Sequence, residues 1–165
     1  MAWFISTMSK AINAIITHLN AELTTANAAS EQAHASATHS ENVADNKYDT
    51  LAVEAAYLAH GQSVRITQIH QYIANYRQLM SIRSPDNSSI HIGHTVTIYD
   101  ASDKLQRLFI GPSAGGIRLF IDNLEILTIT PQTPMGKALM GKAVDDEITL
   151  EVGANSKYFV VTDIC

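Results

Sequence analysis

The chain has 165 residues and a formal net charge of −5, with 11 Lys plus Arg against 16 Asp plus Glu and a single cysteine. Cations this few and this scattered make no basic stripe that could track a phosphate backbone, which argues against strong direct nucleic-acid binding. The lone Cys165 cannot form an intrachain disulfide, and the apolar start is broken by Lys10, Asn13, His18 and Asn20 well short of the ~20 residues of a membrane span. With no basic segment before it, that start is not read as a signal peptide, and the expectation is a cytoplasmic monomer without direct membrane contact.

The sequence divides unevenly. All four prolines (Pro85, Pro112, Pro131, Pro134) and seven of the eight glycines follow Arg83, so uninterrupted helix gives way there to turns and strands. The expected organisation is a helical hairpin over 1–83, a linker over 84–89 and a β-rich domain over 90–165.

In the first half, Ile5, Met8, Ile12, Ile15, Leu19, Leu23, Ala26, Ala29, Ala33 and Ala37 recur in steps of three and four, the spacing of a coiled-coil seam. The seam thins from Ile and Leu to Ala toward residue 40. A second seam reads Tyr48, Leu51, Ala55, Leu58, Gln62, Ile66, Ile69, Ile73, Tyr76 and Met80, with its heavy end last. The two gradients match only if the helices run antiparallel, with the turn near 39–46. A long helical pair used for homodimerisation fits the same periodicity.

Residues 39–49 hold Glu41, Asp45 and Asp49 in a stretch otherwise poor in charge. Two readings stay open there. Asp45 or Asn46 can cap the second helix with Asp49 near its positive end; alternatively, carboxylates four apart can share a hard cation such as Mg²⁺, whose remaining ligands come from water or a substrate phosphate.

In the second half, Thr95–Tyr99, Gln106–Ile110, Leu124–Ile129, Glu147–Val152 and Tyr158–Val161 alternate or run β-branched between turn residues. Thr133-Pro134 opens one short helix with apolar Met135, Ala138 and Leu139, and Gly141 ends it. A twisted antiparallel sheet with one helix is expected. The pairs His34/His39 and His91/His94 lack the companion ligands of a structural zinc site.

Two segments resemble the Gre family of transcription factors. Glu41-x-x-x-Asp45-Asn46-x-Tyr48, with the pair Glu41-Asn42, is similar to the Asp-x-x-Glu-Asn-x-x-Tyr tip between the arms of the family's coiled coil, with altered spacing. Thr133-Pro134-Met135-Gly136-Lys137-Ala138-Leu139-Met140-Gly141-Lys142 through Ile148 resembles the Ser-Pro-hydrophobic-x-x-Ala-Leu-hydrophobic-Gly-Lys segment of its C-terminal domain. The fold implied is α+β: an N-terminal antiparallel coiled-coil hairpin followed by an FKBP-like domain of β-sheet plus helix.

The resemblance implies a factor that is not itself an enzyme. It would dock on RNA polymerase at the secondary channel and stimulate cleavage of backtracked transcripts. Glu41 and Asp45, with Asp49 third, would hold a second Mg²⁺ shared with the polymerase, no cofactor being expected in the isolated protein. Asn42, Asn46 and Tyr48 would shape the tip, and Pro134, Gly136, Lys137, Gly141 and Lys142 would dock; the other reading of Pro134 and the glycines is that they build the turn and helix ends. The alternatives are a regulator that occupies the same channel without cleavage and, more remotely, an FKBP-type prolyl isomerase.

Overall fold

The computed structural model describes residues 2–38, 51–82, 86–102, 104–153 and 155–165. In chain order the elements are α1 (Ala2–Thr38), α2 (Leu51–Ser81), β1 (Thr95–Asp100), β2 (Leu105–Ile110), β3 (Arg118–Ile121), β4 (Leu124–Ile129), α3 (Pro134–Leu139), β5 (Glu147–Val152) and β6 (Asn155–Ile164). Two long helices thus precede a sheet with one short helix, an α+β arrangement. The residues gather into two compact units: Thr17–Ala74, and Met1–Ile16 together with Asn75–Cys165. Of the linker expected over 84–89, residues 84 and 85 lie outside the described residues.

In the helical unit, Leu19 and Ala26 of α1 and Ala59, Ile69 and Ile73 of α2 are buried, as is Ser30. The Arg65 guanidinium donates to Glu22 across the pair at 2.7 Å and to Gln68 along its own helix at 2.8 Å. Thr24, Thr25, Ser63 and Thr67 each turn a hydroxyl back onto the carbonyl four residues earlier, which satisfies these side chains within their own helix.

The second seam differs from the sequence reading at two places. Leu58 is 63% exposed while Ala59 is buried, because only Ala59 keeps the alternating four-three step that leads to Gln62, Ile66, Ile69, Ile73 and Tyr76. Near the helix end Leu79 is buried and Met80 is exposed. A Cβ on Gly93 would stand 3.4 Å from Met8 Sδ and 3.6 Å from Leu79 Cδ1, so both helices have a residue beside that glycine. Met8 and Leu79 share one neighbour and Glu22 pairs with Arg65. Rising numbers on α1 meet falling numbers on α2, and the pair is antiparallel.

In the sheet unit the strand order is β3-β4-β2-β1-β6-β5. The pairings are antiparallel except β2 with β4, which run parallel in the register Leu108↔Leu127 and Ile110↔Ile129. The sheet is therefore mixed, where a wholly antiparallel one was expected. The cause is β3, which the sequence reading passed over: the chain leaves β2, crosses to the sheet edge as β3, and turns back through Asp122 and Asn123 so that β4 returns in the direction of β2. Both turn residues have positive φ, 50° and 63°, as a two-residue type I′ hairpin requires.

One face of this sheet carries a core of Val96, Ile98, Leu108, Ile110, Ile129, Ile148, Phe159, Val161 and Ile164, closed by Ile90 and by Leu139 of α3. Polar ties fasten the helix segments of the same unit to the loops around β3. Tyr76 Oη donates to the Ser113 carbonyl at 2.7 Å, Asn75 Nδ2 donates to Ser113 Oγ at 3.3 Å, and Lys10 Nζ reaches Asp122 at 2.7 Å.

Candidate functional site

The residues singled out for docking lie on one continuous turn between β4 and β5. Thr133 is the N-cap of α3: its hydroxyl accepts the Gly136 N–H at 3.0 Å and donates to the Thr130 carbonyl at 2.8 Å, with Pro134 in the first helical turn where no N–H is missed. Gly136 is required by close approach, since a Cβ there would stand 2.0 Å from the Thr130 carbonyl oxygen. Gly141 has φ of +77° and ends the helix in the left-handed region. Its N–H donates to the Ile90 carbonyl at 2.9 Å, and Ile90 N–H donates to the Lys142 carbonyl at 2.8 Å.

Pro134, Gly136 and Gly141 are therefore builders of this turn. Lys137 is exposed and Lys142 half-buried, and neither has an ion-pair partner among the described residues. Two mobile-headed ammonium groups are thus presented from a rigid platform, an arrangement that suits capture of carboxylates on another macromolecule. Downstream, the Asp146 carboxylate accepts the Ala143 N–H at 2.8 Å, and Asp145, with φ of 70°, donates its N–H to Val161, so the turn is fixed at both ends.

Beside this turn opens an apolar cleft of about 430 Å³, walled by Met8, Leu79, Ile82, Ile92, Pro112 and Met140, with Asn75, Gln78 and His91 on it. Met140 belongs to the turn, so the cleft and the two lysines are neighbours in sequence. No single segment of the sequence announces the cleft, because its walls come from five separate stretches of chain.

Under this region Tyr76 is fully buried, and burial pushes its phenol well above the usual tyrosine value. Gly111 makes room for it: a Cβ there would stand 2.1 Å from the Tyr76 hydroxyl oxygen. His94 is buried and its Nδ1 accepts the His91 N–H at 3.1 Å, the two rings meeting edge to face at 5.9 Å. Asp86 is held below the ordinary carboxylate value by hydrogen bonds from Ser88, helped by His91 and His94. Burial, and then Asp163, push the Cys165 thiol up, against a smaller opposing pull from Arg107.

The acids Glu41, Asp45 and Asp49, and with them Asn42, Asn46 and Tyr48, lie outside the described residues. Among the described residues no group of three or more His, Cys, Asp or Glu is placed to hold a metal ion, and no helix is long and apolar enough to cross a membrane.

Residues 84–165 match the family model described as transcription elongation factor, GreA/GreB, C-terminal. The chain is 36% identical over 75 residues to the transcription elongation factor GreA of Sphingopyxis alaskensis, covering 46% of this chain and 44% of that protein. It is 29% identical over 125 residues to GreA of Syntrophus aciditrophicus, covering 74% and 71%. The chain thus spans less than half the length of the first of these relatives. Among solved structures, GreA factor homolog 1 (Gfh1) of Thermus thermophilus is 18% identical over 91% of this chain and 94% of its own, at a TM-score of 0.37. A GreA/GreB elongation factor from Nitrosomonas europaea is 16% identical over 68% and 91%, at a TM-score of 0.35.

Proposed function

We propose, from the premise that this chain belongs to the GreA/GreB family of transcription elongation factors, that it docks on RNA polymerase through its sheet unit and stimulates cleavage of backtracked transcripts. The observation that carries the reading is the family match over residues 84–165, which contains the whole turn from Thr133 to Lys142. The turn supports docking: it carries Lys137 and Lys142, unpaired among the described residues, and its Met140 forms one wall of an apolar cleft, so cationic and apolar groups that protein interfaces use come from the same short stretch.

The helical pair would place the segment 39–50 in the secondary channel. Its donor set, Glu41, Asp45 and Asp49, is all carboxylate, which suits Mg²⁺. A second Mg²⁺ shared with the polymerase would supply Lewis-acid activation of water for phosphodiester hydrolysis. Glu41 and Asp45 would hold it, while Asn42, Asn46 and Tyr48 shape the segment around them. The chain contributes ligands to a site that the polymerase completes, and it binds nucleic acid only weakly by itself.

The test is transcript cleavage in stalled, backtracked polymerase complexes. The wild-type chain should shorten the transcript. The pair Glu41→Gln with Asp45→Asn should leave polymerase binding unchanged and reduce cleavage by orders of magnitude, with partial rescue at raised Mg²⁺ because mass action refills a weakened site. A wild-type chain that binds these complexes and never cleaves at any Mg²⁺ concentration would establish the non-cleaving regulator instead.

A further inference from the structure

The outer side of α2 carries an apolar stripe that the helix pair does not bury. Val53, Tyr57 and Val64 are 53%, 74% and 57% exposed, and Gly61 is exposed between the last two. At 100° per residue these four positions share one side of the helix, roughly opposite the seam of Ala59, Ile69 and Ile73. Gly61 stands in the interior of the 31-residue helix, where glycine is disfavoured. Among the described residues nothing lies within 4 Å of where its Cβ would be, so none of their contacts requires a glycine there. A helix surface with a gap in it, flanked by an exposed ring and two exposed valines, is shaped for a close-approaching backbone.

We infer that this face is a self-association surface, on which a second copy of the chain packs its own α2 antiparallel about a two-fold axis. The stripe is self-complementary in that orientation. Val53 meets the partner's Val64, and the Tyr57 ring fills the gap over the partner's Gly61; the symmetry repeats both contacts. Charge agrees with shape. Glu54 and Arg65 lie on the same flank of the stripe, and the same register sets Glu54 beside the partner's Arg65, twice. Glu54 has no ion-pair partner among the described residues, while Arg65, engaged with Glu22 and Gln68, keeps further N–H groups for a second carboxylate. A parallel arrangement would set Tyr57 against Tyr57 and Glu54 against Glu54.

Three apolar side chains and a glycine cover less than the about 800 Å² per partner of a standard interface. The dimer is accordingly weak, half-formed at a concentration on the order of 100 µM. The inference goes beyond the polymerase reading and does not need it, and it replaces the monomer expected from the sequence with a concentration-dependent equilibrium.

Sedimentation equilibrium of the full chain from about 10 µM to 1 mM tests it. Wild-type protein should pass from monomer to dimer. Gly61→Ala should raise Tm by a few degrees, because alanine favours helix and meets no neighbour, and should weaken association about tenfold or more by filling the gap. A merely structural role for Gly61 gives no such opposition of sign. Tyr57→Ala should also abolish dimerisation. In a Cys165→Ser background, an equimolar mixture of Val53→Cys and Val64→Cys chains should oxidise to the mixed disulfide in preference to either homodimer. A chain that stays monomeric to 1 mM overturns the inference, as does association unmoved by Gly61→Ala or a preference for same-residue disulfides. Monomeric behaviour combined with loss of polymerase capture on Tyr57→Ala would overturn it too, and would assign the stripe to the polymerase.

Discussion

The helical unit and the sheet unit are held together by different means. Between residues 17 and 74 the buried apolar side chains include two alanines, Ala26 and Ala59, beside Leu19, Ile69 and Ile73, and the cross-helix tie is the half-exposed pair Glu22–Arg65. The sheet unit instead closes a core of Val, Ile, Leu and Phe and fixes its loops by backbone bonds at close approach. A long thin pair of helices has little area to bury per residue, so alanine lets the backbones come near where larger side chains would hold them apart. One unit can be perturbed gently; the other is all-or-none at several positions.

The sharpest way to break that contrast is Gly136→Val. Its Cβ would stand 2.0 Å from the Thr130 carbonyl oxygen, a backbone atom that the Thr133 cap holds in place. The turn must rebuild, at a cost of about 4 kcal/mol or more. Chemical denaturation should show cooperative loss of the sheet unit. A variant as stable as wild type would show that the turn is looser than its hydrogen bonds imply.

Next in size, Ile69→Asp buries an unpaired carboxylate in the helix seam at a position with no exposure. The penalty is about 3–5 kcal/mol. Ala33→Asp, at a half-buried position on the thin part of α1, should cost under about 1 kcal/mol. Helicity followed by circular dichroism during urea unfolding measures both, and equal losses would contradict the taper.

Much of this architecture could be read from residues alone, and the misreadings have local causes. Periodicity gave both helices, and Thr133-Pro134 with Gly141 gave the ends of α3, since caps and breakers act on their own neighbours. Leucine outweighs alanine on any hydrophobic scale and so draws Leu58 into the seam, yet the unbroken four-three rhythm runs through Ala59 and is the better guide. The strand Arg118–Ile121 is short and carries its only local signal after it, in the turn Asp122-Asn123, and the parallel pairing of β2 with β4 follows only once that strand is in place. Gly136 was legible as a helix residue, but its reason, the Thr130 carbonyl, depends on how the chain arrives from β4. The cleft beside Met140 draws its walls from distant segments and has no signature in any one of them.

Tyr76→Phe is a smaller perturbation with a pH signature. The variant keeps the ring and loses the 2.7 Å bond to the Ser113 carbonyl, costing about 1 kcal/mol at neutral pH. Burial raises the phenol's pKa in the folded state above the unfolded value near 10. The folded state therefore resists ionisation: stability is fully present below about pH 10 and falls as pH rises above it, because the unfolded chain loses its proton first. Denaturation midpoints between pH 8 and 11 should converge for the two proteins as alkalinity increases. Parallel curves would mean that the Tyr76 hydroxyl reaches solvent.

The smallest effect is expected from Glu22→Gln, and it probes the helical unit where it is weakest. Glu22 lies 2.7 Å from Arg65 across the pair and 3.3 Å from His18 one turn earlier, with its side chain 36% exposed and that of Arg65 44% exposed. Water and salt screen charges at such exposure, and ordering two long side chains offsets much of the attraction, so the loss should be about 0.5 kcal/mol. Glutamine keeps the length and one acceptor, so packing is unchanged and the difference reports charge alone. In urea unfolding the gap between Glu22→Gln and wild type should close between about 0.05 and 0.5 M NaCl, while the gap for Ile69→Asp should persist, because screening by mobile ions does not restore hydration to a buried carboxylate. A Glu22→Gln loss above about 2 kcal/mol that ignores salt would mean the pair is shielded from solvent, and that the two units are held together more alike than their burial indicates.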